Sequence, residues 1–396
     1  MRIVYVPLEP YENRYTLQLR EWNEMEFKRL GINYTVVEGT SYNTVEKIHT
    51  GIVLDAHTRC IWALEQSKLL VGMHQVGNLT ENDFILFEDM FHPGIEALAY
   101  IFNIVEHKEI LSNSFKLQRP NIAVRCLAQT IDPDDFVHYT GMAEWMRKFE
   151  QMVLKFVDVV FVASQEMIPF MTAAGWDCAV AVTGLPFGKE EVLSRTERIA
   201  WSEKELRVSF ASRIADEKQF EFFLRVAVEY QKQHGRFVTF EFLSGGSLNN
   251  PAIDYAVIRG VVEVYPNLTK NEYYENLSSS RVLFNCSLQD WVSNTVSEAD
   301  TYGCNTLFPA YRSFPEVFDN DRERLYIPWS VEDAVEKLHK LVYEEHPFTG
   351  NISDHQNKSI ERTVHYMQNY MDSDYSEFVY PTDTSYRKRI VKEATQ

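Results

Sequence analysis

Short apolar runs alternate with segments of helical period along this chain, and the alternation occurs twice. Residues 1–7 read as a buried strand, and residues 15–30 then place Leu17, Leu19, Trp22, Met25, Phe27 and Leu30 at helical spacing, closed by Gly31. Strands at 34–37, 84–87, 122–127 and 159–162, with helices at 56–71, from 94 and at 143–156, continue the pattern. Strands separated by helices specify a parallel sheet covered on both faces. A polar, poorly periodic stretch at 189–205 interrupts this order. It resumes with strands at 206–210, 237–242, 261–264, 282–285 and 306–309 and helices at 220–234, 271–278, from 295 and at 331–343. The fold class expected is therefore α/β: two doubly wound, Rossmann-like domains facing a central cleft. Their bounds are 1–188 and 206–370, with 189–205 as linker and 371–396 as a C-terminal tail. Ligands of such sheets bind beyond the carboxyl ends of the strands, so the cleft is where a site is expected.

A chain of 396 residues with 45% hydrophobic content can bury two such cores. No run approaches the roughly 18 apolar residues of a membrane span. The N-terminus enters a strand without a basic and then apolar leader, so a soluble, cytoplasmic protein is expected. Cys60, Cys126, Cys178, Cys286 and Cys304 include no C-x-x-C pair and read as reduced thiols. His49, His57 and His74 lack metal-ligand spacing. The net charge of −18 counts against broad attachment to nucleic acid or anionic lipid and leaves only a local basic patch as a route to either.

Two clusters carry chemistry. Arg213 and Lys218 stand at a strand-to-helix turn in the run 210–218, where free backbone N–H groups and two cations suit a diphosphate. The bland reading makes both solvated turn residues. In the run 285–299, Asp290 and Glu298 bracket a helix start whose Asn294, Thr295 and Val296 amides can hold phosphate with the helix dipole. Glu298 is then placed for a ribose diol and Asp290 for sugar hydroxyls.

Taken together, these runs resemble retaining glycosyltransferases of family four. That family places an arginine and a lysine five apart after the first strand of its second domain, and an acid pair eight apart after a later strand. Arg213 and Lys218 match the first, and Asp290 and Glu298 the second. The glycine turn at Gly245 and Gly246, and the stretch 299–309 followed by Pro315, Glu316 and Val317, resemble further family features. The resemblance covers roughly 206–345 and implies the GT-B fold, with 1–188 as acceptor domain and 206–370 as donor domain. It also implies a nucleotide-diphosphate sugar as co-substrate, a UDP-sugar being the donor expected first, and no bound cofactor.

The chain departs from the family pattern where Gln219 replaces the glycine after Lys218, and where Ser293 and Asn294 replace a glycine pair. The N-terminal glycine-rich loop is replaced by 7–16, whose Arg14 is a candidate for donor phosphate or acceptor. In the N-terminal half, the loops 88–94 (Glu88, Asp89, His92) and 128–138 (Gln129, Asp132, Asp135, His138) follow strands. Asp132 is the catalytic candidate there; helix caps and an Asp-Pro turn are the plain alternative. No metal is expected, because cations and helix N-termini do for the diphosphate what magnesium does in another fold.

The start of the chain and the loop 126–136 look like glycosyltransferases of tailed bacteriophages, which implies a hydroxymethylated pyrimidine in phage DNA as acceptor and the host cytoplasm as location. A flipped base would need aromatic partners, for which Trp145, Tyr139, Phe91 and Trp291 are candidates. The alternatives are a surface glycan or lipid-linked acceptor, a non-catalytic sugar-nucleotide-binding protein and a sugar-nucleotide epimerase.

Overall fold

The structure, a computed structural model, describes residues 1–10, 15–40, 56–112, 119–347 and 352–382. Arg14 and the Tyr139 side chain lie outside the described residues, as do His49 and the side chain of His57. The chain divides into two compact units: one holds the described residues up to Thr183 and those from Ile360 on, the other spans Gly184–Ser359.

In the first unit the strands are β1 (Arg2–Val6), β2 (Asn33–Val36), β3 (Asp83–Phe87), β4 (Asn121–Arg125), β5 (Val159–Val162) and β6 (Ala179–Val182). They form one sheet in the order β2-β1-β3-β4-β5-β6, every pair parallel. The strands β3 and β5 are buried at every position, as a sheet covered on both faces requires. The helix Ser359–Met371, beyond the second unit in sequence, packs here through Tyr370 against Phe84, ring centroids 6.0 Å apart.

In the second unit the strands are β7 (Glu205–Phe210), β8 (Thr239–Leu243), β9 (Glu263–Tyr265), β10 (Ser280–Phe284), β11 (Asn305–Pro309) and β12 (Leu325–Tyr326). Their order is β12-β11-β10-β7-β8-β9, again all parallel. The chain runs outward from β7 through β8 to β9, then crosses back to β10 and runs the other way. The loops leaving β7 and β10 therefore diverge to opposite faces and open a crevice at that reversal.

An aromatic core holds the second sheet to its helices. Phe223, fully buried on the helix Phe220–His234, meets Phe210, Phe240, Phe242 and Phe284 with ring centroids 5.0 to 5.9 Å apart. Phe222 stacks on Tyr326 from the same helix.

Two differences from the sequence reading concern boundaries. The segment 189–205 is not an irregular linker: it contains the helix Lys189–Arg195 and belongs to the second unit. There Val192 is buried and its carbonyl accepts the Tyr302 hydroxyl at 2.7 Å. The helix Ser359–Met371 is not the end of the second domain, because from Ile360 it belongs to the first. The strands β6 and β12 were not expected. We expect Phe223→Ala to destabilise the second unit by roughly 3–5 kcal/mol, read as a loss in urea midpoint.

Candidate functional site

The second unit's crevice collects most of the predicted donor residues. After β7 the chain reaches Arg213 and then a short 3-10 turn, Asp216–Lys218. Gln219 follows at φ 51°, so the left-handed step that glycine would take freely is kept, with the Gln219 amide group donating to the Asp216 carbonyl at 2.7 Å. The helix Phe220–His234 starts there.

Neither cation is left bare. Arg213 lies against Glu217, its Nε donating to Oε1 at 2.9 Å and its Nη2 to the same oxygen. Glu217 is 3% exposed, whereas the Arg213 side chain is 31% exposed and its Nη1 has no partner among the described residues. Lys218 is buried, and its ammonium has three acceptors: Ser287 Oγ at 2.9 Å, the Gln289 carbonyl at 2.9 Å and Asp290 Oδ1 at 3.0 Å. Lysine thus ties the loop after β7 to the loop after β10. A backbone bond from the Leu288 N–H to the Glu217 carbonyl, 2.8 Å, reinforces the tie. Two bases thus face two acids, and this quartet is formally neutral.

Asp290 keeps Oδ2 without a partner among the described residues, and its carbonyl accepts Ser313 Oγ at 2.6 Å. The helix Asn294–Tyr302 begins at Ser293, which makes no side-chain cap; its hydroxyl bonds to that of Thr295 at 2.7 Å instead. Consequently the Asn294 and Thr295 N–H groups have no partner among the described residues. The Val296 N–H donates to the Ser293 carbonyl at 3.0 Å, so of the three expected amides two are available.

Glu298, one turn further on, is 3% exposed, and both its oxygens are engaged. Tyr273 donates to Oε2 at 2.7 Å, Tyr274 to Oε1 at 3.1 Å, and Lys270 Nζ lies 3.6 Å from Oε1. A freely presented carboxylate was expected; the structure shows one that is clamped. The turn at Gly245 and Gly246 is tied to the loop after β9, where Asn267 donates to the Gly246 carbonyl at 3.0 Å and Leu268 to the Ser244 carbonyl at 3.0 Å.

In the first unit, the loops after β3 and β4 are held by their own side chains. Glu88 and Arg125, both nearly unexposed, form an ion pair at 2.5 Å, and Asn23 joins them by accepting from Arg125 at 3.1 Å. Asp89 is paired with Arg59. Asp132 is 1% exposed and accepts the Asp134 N–H at 2.9 Å, while Gln129 Oε1 accepts the Ile131 and Asp132 amides. Asp132 is thus a buried carboxylate held within its own turn. Of the aromatic candidates, Trp145 is 58% exposed and Trp291 6%.

His92 is locked as neutral imidazole. The Gln66 amide nitrogen donates to the Pro7 and Val37 carbonyls, which turns its oxygen to His92 Nε2 at 2.8 Å; His92 Nδ1 accepts the Gly94 N–H at 2.9 Å. Burial, with a smaller contribution from the Arg59 charge, pushes its pKa down to about 3. Between there and the ordinary value of 6.5 the unfolded chain holds the extra proton, so this stabilisation is complete above 6.5 and lost as pH falls toward 3. We expect the wild type to lose about 1.4 kcal/mol more per pH unit than His92→Asn between roughly pH 6 and 4; parallel stability curves from urea unfolding would contradict this.

Residues not foreseen in the sequence complete the site: Glu217, Ser287, Gln289, Lys270, Tyr273 and Tyr274. The spacing of Lys270, Tyr273 and Tyr274 on one helical face was the available signal. Among the described residues no helix is long and apolar enough to cross a membrane.

No protein-family model matches the sequence, and no curated protein matches it. Solved structures do match. Sucrose-phosphate synthase from Thermosynechococcus elongatus aligns with a TM-score of 0.62 at 9% identity, over 94% of this chain and 98% of that one. The trehalose-6-phosphate synthase OtsA aligns at 0.60 and 9%, over 93% and 99%. S. aureus TarM, solved with UDP and alpha-GlcNAc-glycerol among its ligands, aligns at 0.50 and 12%, over 79% of this chain. This chain spans 58% of TarM's length. The shared feature is the fold, two parallel six-stranded sheets with interleaved helices, of GT-B type.

Proposed function

We propose that the chain is a nucleotide-sugar-dependent glycosyltransferase whose donor site is the β7/β10 crevice. The observation that carries this reading is the Lys218–Asp290 pair beside the two unpartnered amides of Asn294 and Thr295. A diphosphate oxygen is a stronger partner for the buried ammonium than a neutral acceptor, and the amides and helix dipole add two directed donors. Phosphate that replaces the neutral acceptors Ser287 Oγ and the Gln289 carbonyl leaves Asp290 on Lys218, with its Oδ2 offered to the hydroxyls of the transferred sugar. The Nη1 of Arg213, on a side chain that is 31% exposed and without a partner for that nitrogen among the described residues, adds a donor from the same loop.

The chemistry asked of these groups is stabilisation of charge on the departing nucleoside diphosphate. Breaking the bond between the anomeric carbon and the diphosphate leaves negative charge on the leaving oxygen, which Lys218 and the amides would offset. Retention of anomeric configuration belongs to this reading, supported by the order and register of the four charged residues, and a UDP-sugar donor does too, supported by the UDP bound to the similarly folded TarM. The acceptor we propose is a hydroxyl on a hydroxymethylated pyrimidine in DNA, with glycan hydroxyls as the competing class.

We expect Lys218→Ala to reduce turnover on the order of a hundredfold or more, and retained turnover would sink the assignment. Activity should survive a chelator, since cationic side chains and amides meet the diphosphate charge; loss on chelation with recovery in manganese would overturn that. An acceptor screen over modified DNA and glycans, scored against hydrolysis of donor alone, separates transfer from epimerisation or simple binding.

A further inference from the structure

The helix Pro251–Ile258 carries one charged residue, Asp254, among seven apolar ones, yet only Ile253 and Ala256 are buried. A helix of that composition is normally covered on all sides, and this one is covered on one. Ile258 is 81% exposed, Tyr255 64% and Val257 39%. Two contacts bring the turn 235–237 to the same surface. Gln231 Nε2 donates to the Val261 carbonyl at 2.9 Å, and a methyl group on Gly260 would stand 3.3 Å from the Arg236 guanidinium. Phe237, 81% exposed, and half-exposed Val228 extend the apolar face there. Around it stand Lys232, Arg236 and Arg259 with Glu229, Asp254 and Glu263, so the rim is formally neutral on a chain of net charge −18.

We infer that this face joins a second copy of the chain about a two-fold axis. An anionic lipid surface or a nucleic acid is held by surplus cations, and this rim has none. A second copy brings a charge of −18 to another of −18, so the two can meet only through a face free of net negative charge. A rim of both signs set against its own two-fold image offers unlike charges to each other. An apolar centre with aromatic side chains, bordered by arginine and other polar groups, is also how such interfaces are composed. With aromatic side chains of about 150–250 Å², Val228, Phe237, Tyr255, Val257 and Ile258 present roughly 500 Å² at their exposures. A standard interface buries about 800 Å² per partner, and the rim supplies the difference. The face lies where the chain enters β8 and β9, at their amino ends, whereas the crevice opens beyond the carboxyl ends of β7 and β10. The two share no residue, and the inference does not depend on the donor-site reading.

The test is sedimentation equilibrium of the full chain over a dilution series, for wild type, Ile258→Glu and Phe237→Glu. The wild type should pass from monomer to dimer with rising concentration. Each variant should weaken the dimer by roughly tenfold or more, with thermal unfolding of the monomer unchanged because both side chains are exposed. Tyr255→Ser replaces either variant that folds poorly. Added sodium chloride should tighten the wild-type dimer, since it screens the repulsion between two negative chains while leaving the apolar contact in place. A wild type that stays monomeric at the highest concentration overturns the inference, as does a dimer that all the variants leave intact. Dissociation of the dimer by salt overturns it too, because cations gripping an acidic surface would then hold the copies together. Sedimentation of the monomer with phosphatidylglycerol vesicles, lost in Ile258→Glu, would assign the face to a membrane instead.

Discussion

A parallel strand cannot pass its chain to the neighbouring strand through a tight turn; it must send it across the sheet and back, with a helix as the usual carrier. Every strand pair in both sheets of this protein is parallel, and that constraint arranges the rest. Helices cover both faces, the strands become continuous apolar runs, and all the loops that follow strands gather at one edge. Where the order of strands reverses, at β7 and β10, the loops part, and backbone N–H groups at a helix start have no partner among the described residues. The candidate site is a consequence of this wiring before any side chain is considered.

Side chains then determine what the crevice holds. Its charges are paired within the protein: Arg213 with Glu217, Lys218 with Asp290, Lys270 with Glu298. Burying an isolated ammonium or carboxylate would be prohibitive, so the pairing is what allows ionised groups to sit this deep. A ligand that binds here must do so by exchange, because these charged groups already have partners within the protein. An exchange site favours ligands that bring at least as many hydrogen-bonding groups as they displace, which is a basis for specificity as well as affinity. The first unit shows the same pairing in the Glu88–Arg125 and Asp89–Arg59 contacts and in the neutral His92.

The alternation of strands and helices was legible because period two or continuous apolarity and period 3.6 differ over a window of a few residues. The helices 143–156, 220–234 and 331–343 have the ends the spacing indicates. Strands β6 and β12 were not legible: Ala179–Val182 is four residues long and half alanine, and Leu325–Tyr326 is a pair of residues held by β11. The segment 189–205 reads as a linker because its apolar residues are sparse. Val192 nonetheless anchors it, through packing that no local pattern reports.

At the site, the sequence by itself determined which charged residues follow which strand, and therefore that Arg213, Lys218, Asp290 and Glu298 belong to one sheet's edge. Only the tertiary structure decided their partners. Apart from Arg213 with Glu217, four residues apart, the ion pairs and tyrosine contacts join residues 24 to 72 positions apart, such as Tyr274 with Glu298 and Lys218 with Asp290, across separate loops and helices. Periodicity encodes which face of an element is buried; it carries no information on which polar atom of another element completes a buried charge. The same limit explains Asp132, a carboxylate that the order of residues marks for chemistry and that folding turns inward onto its own backbone.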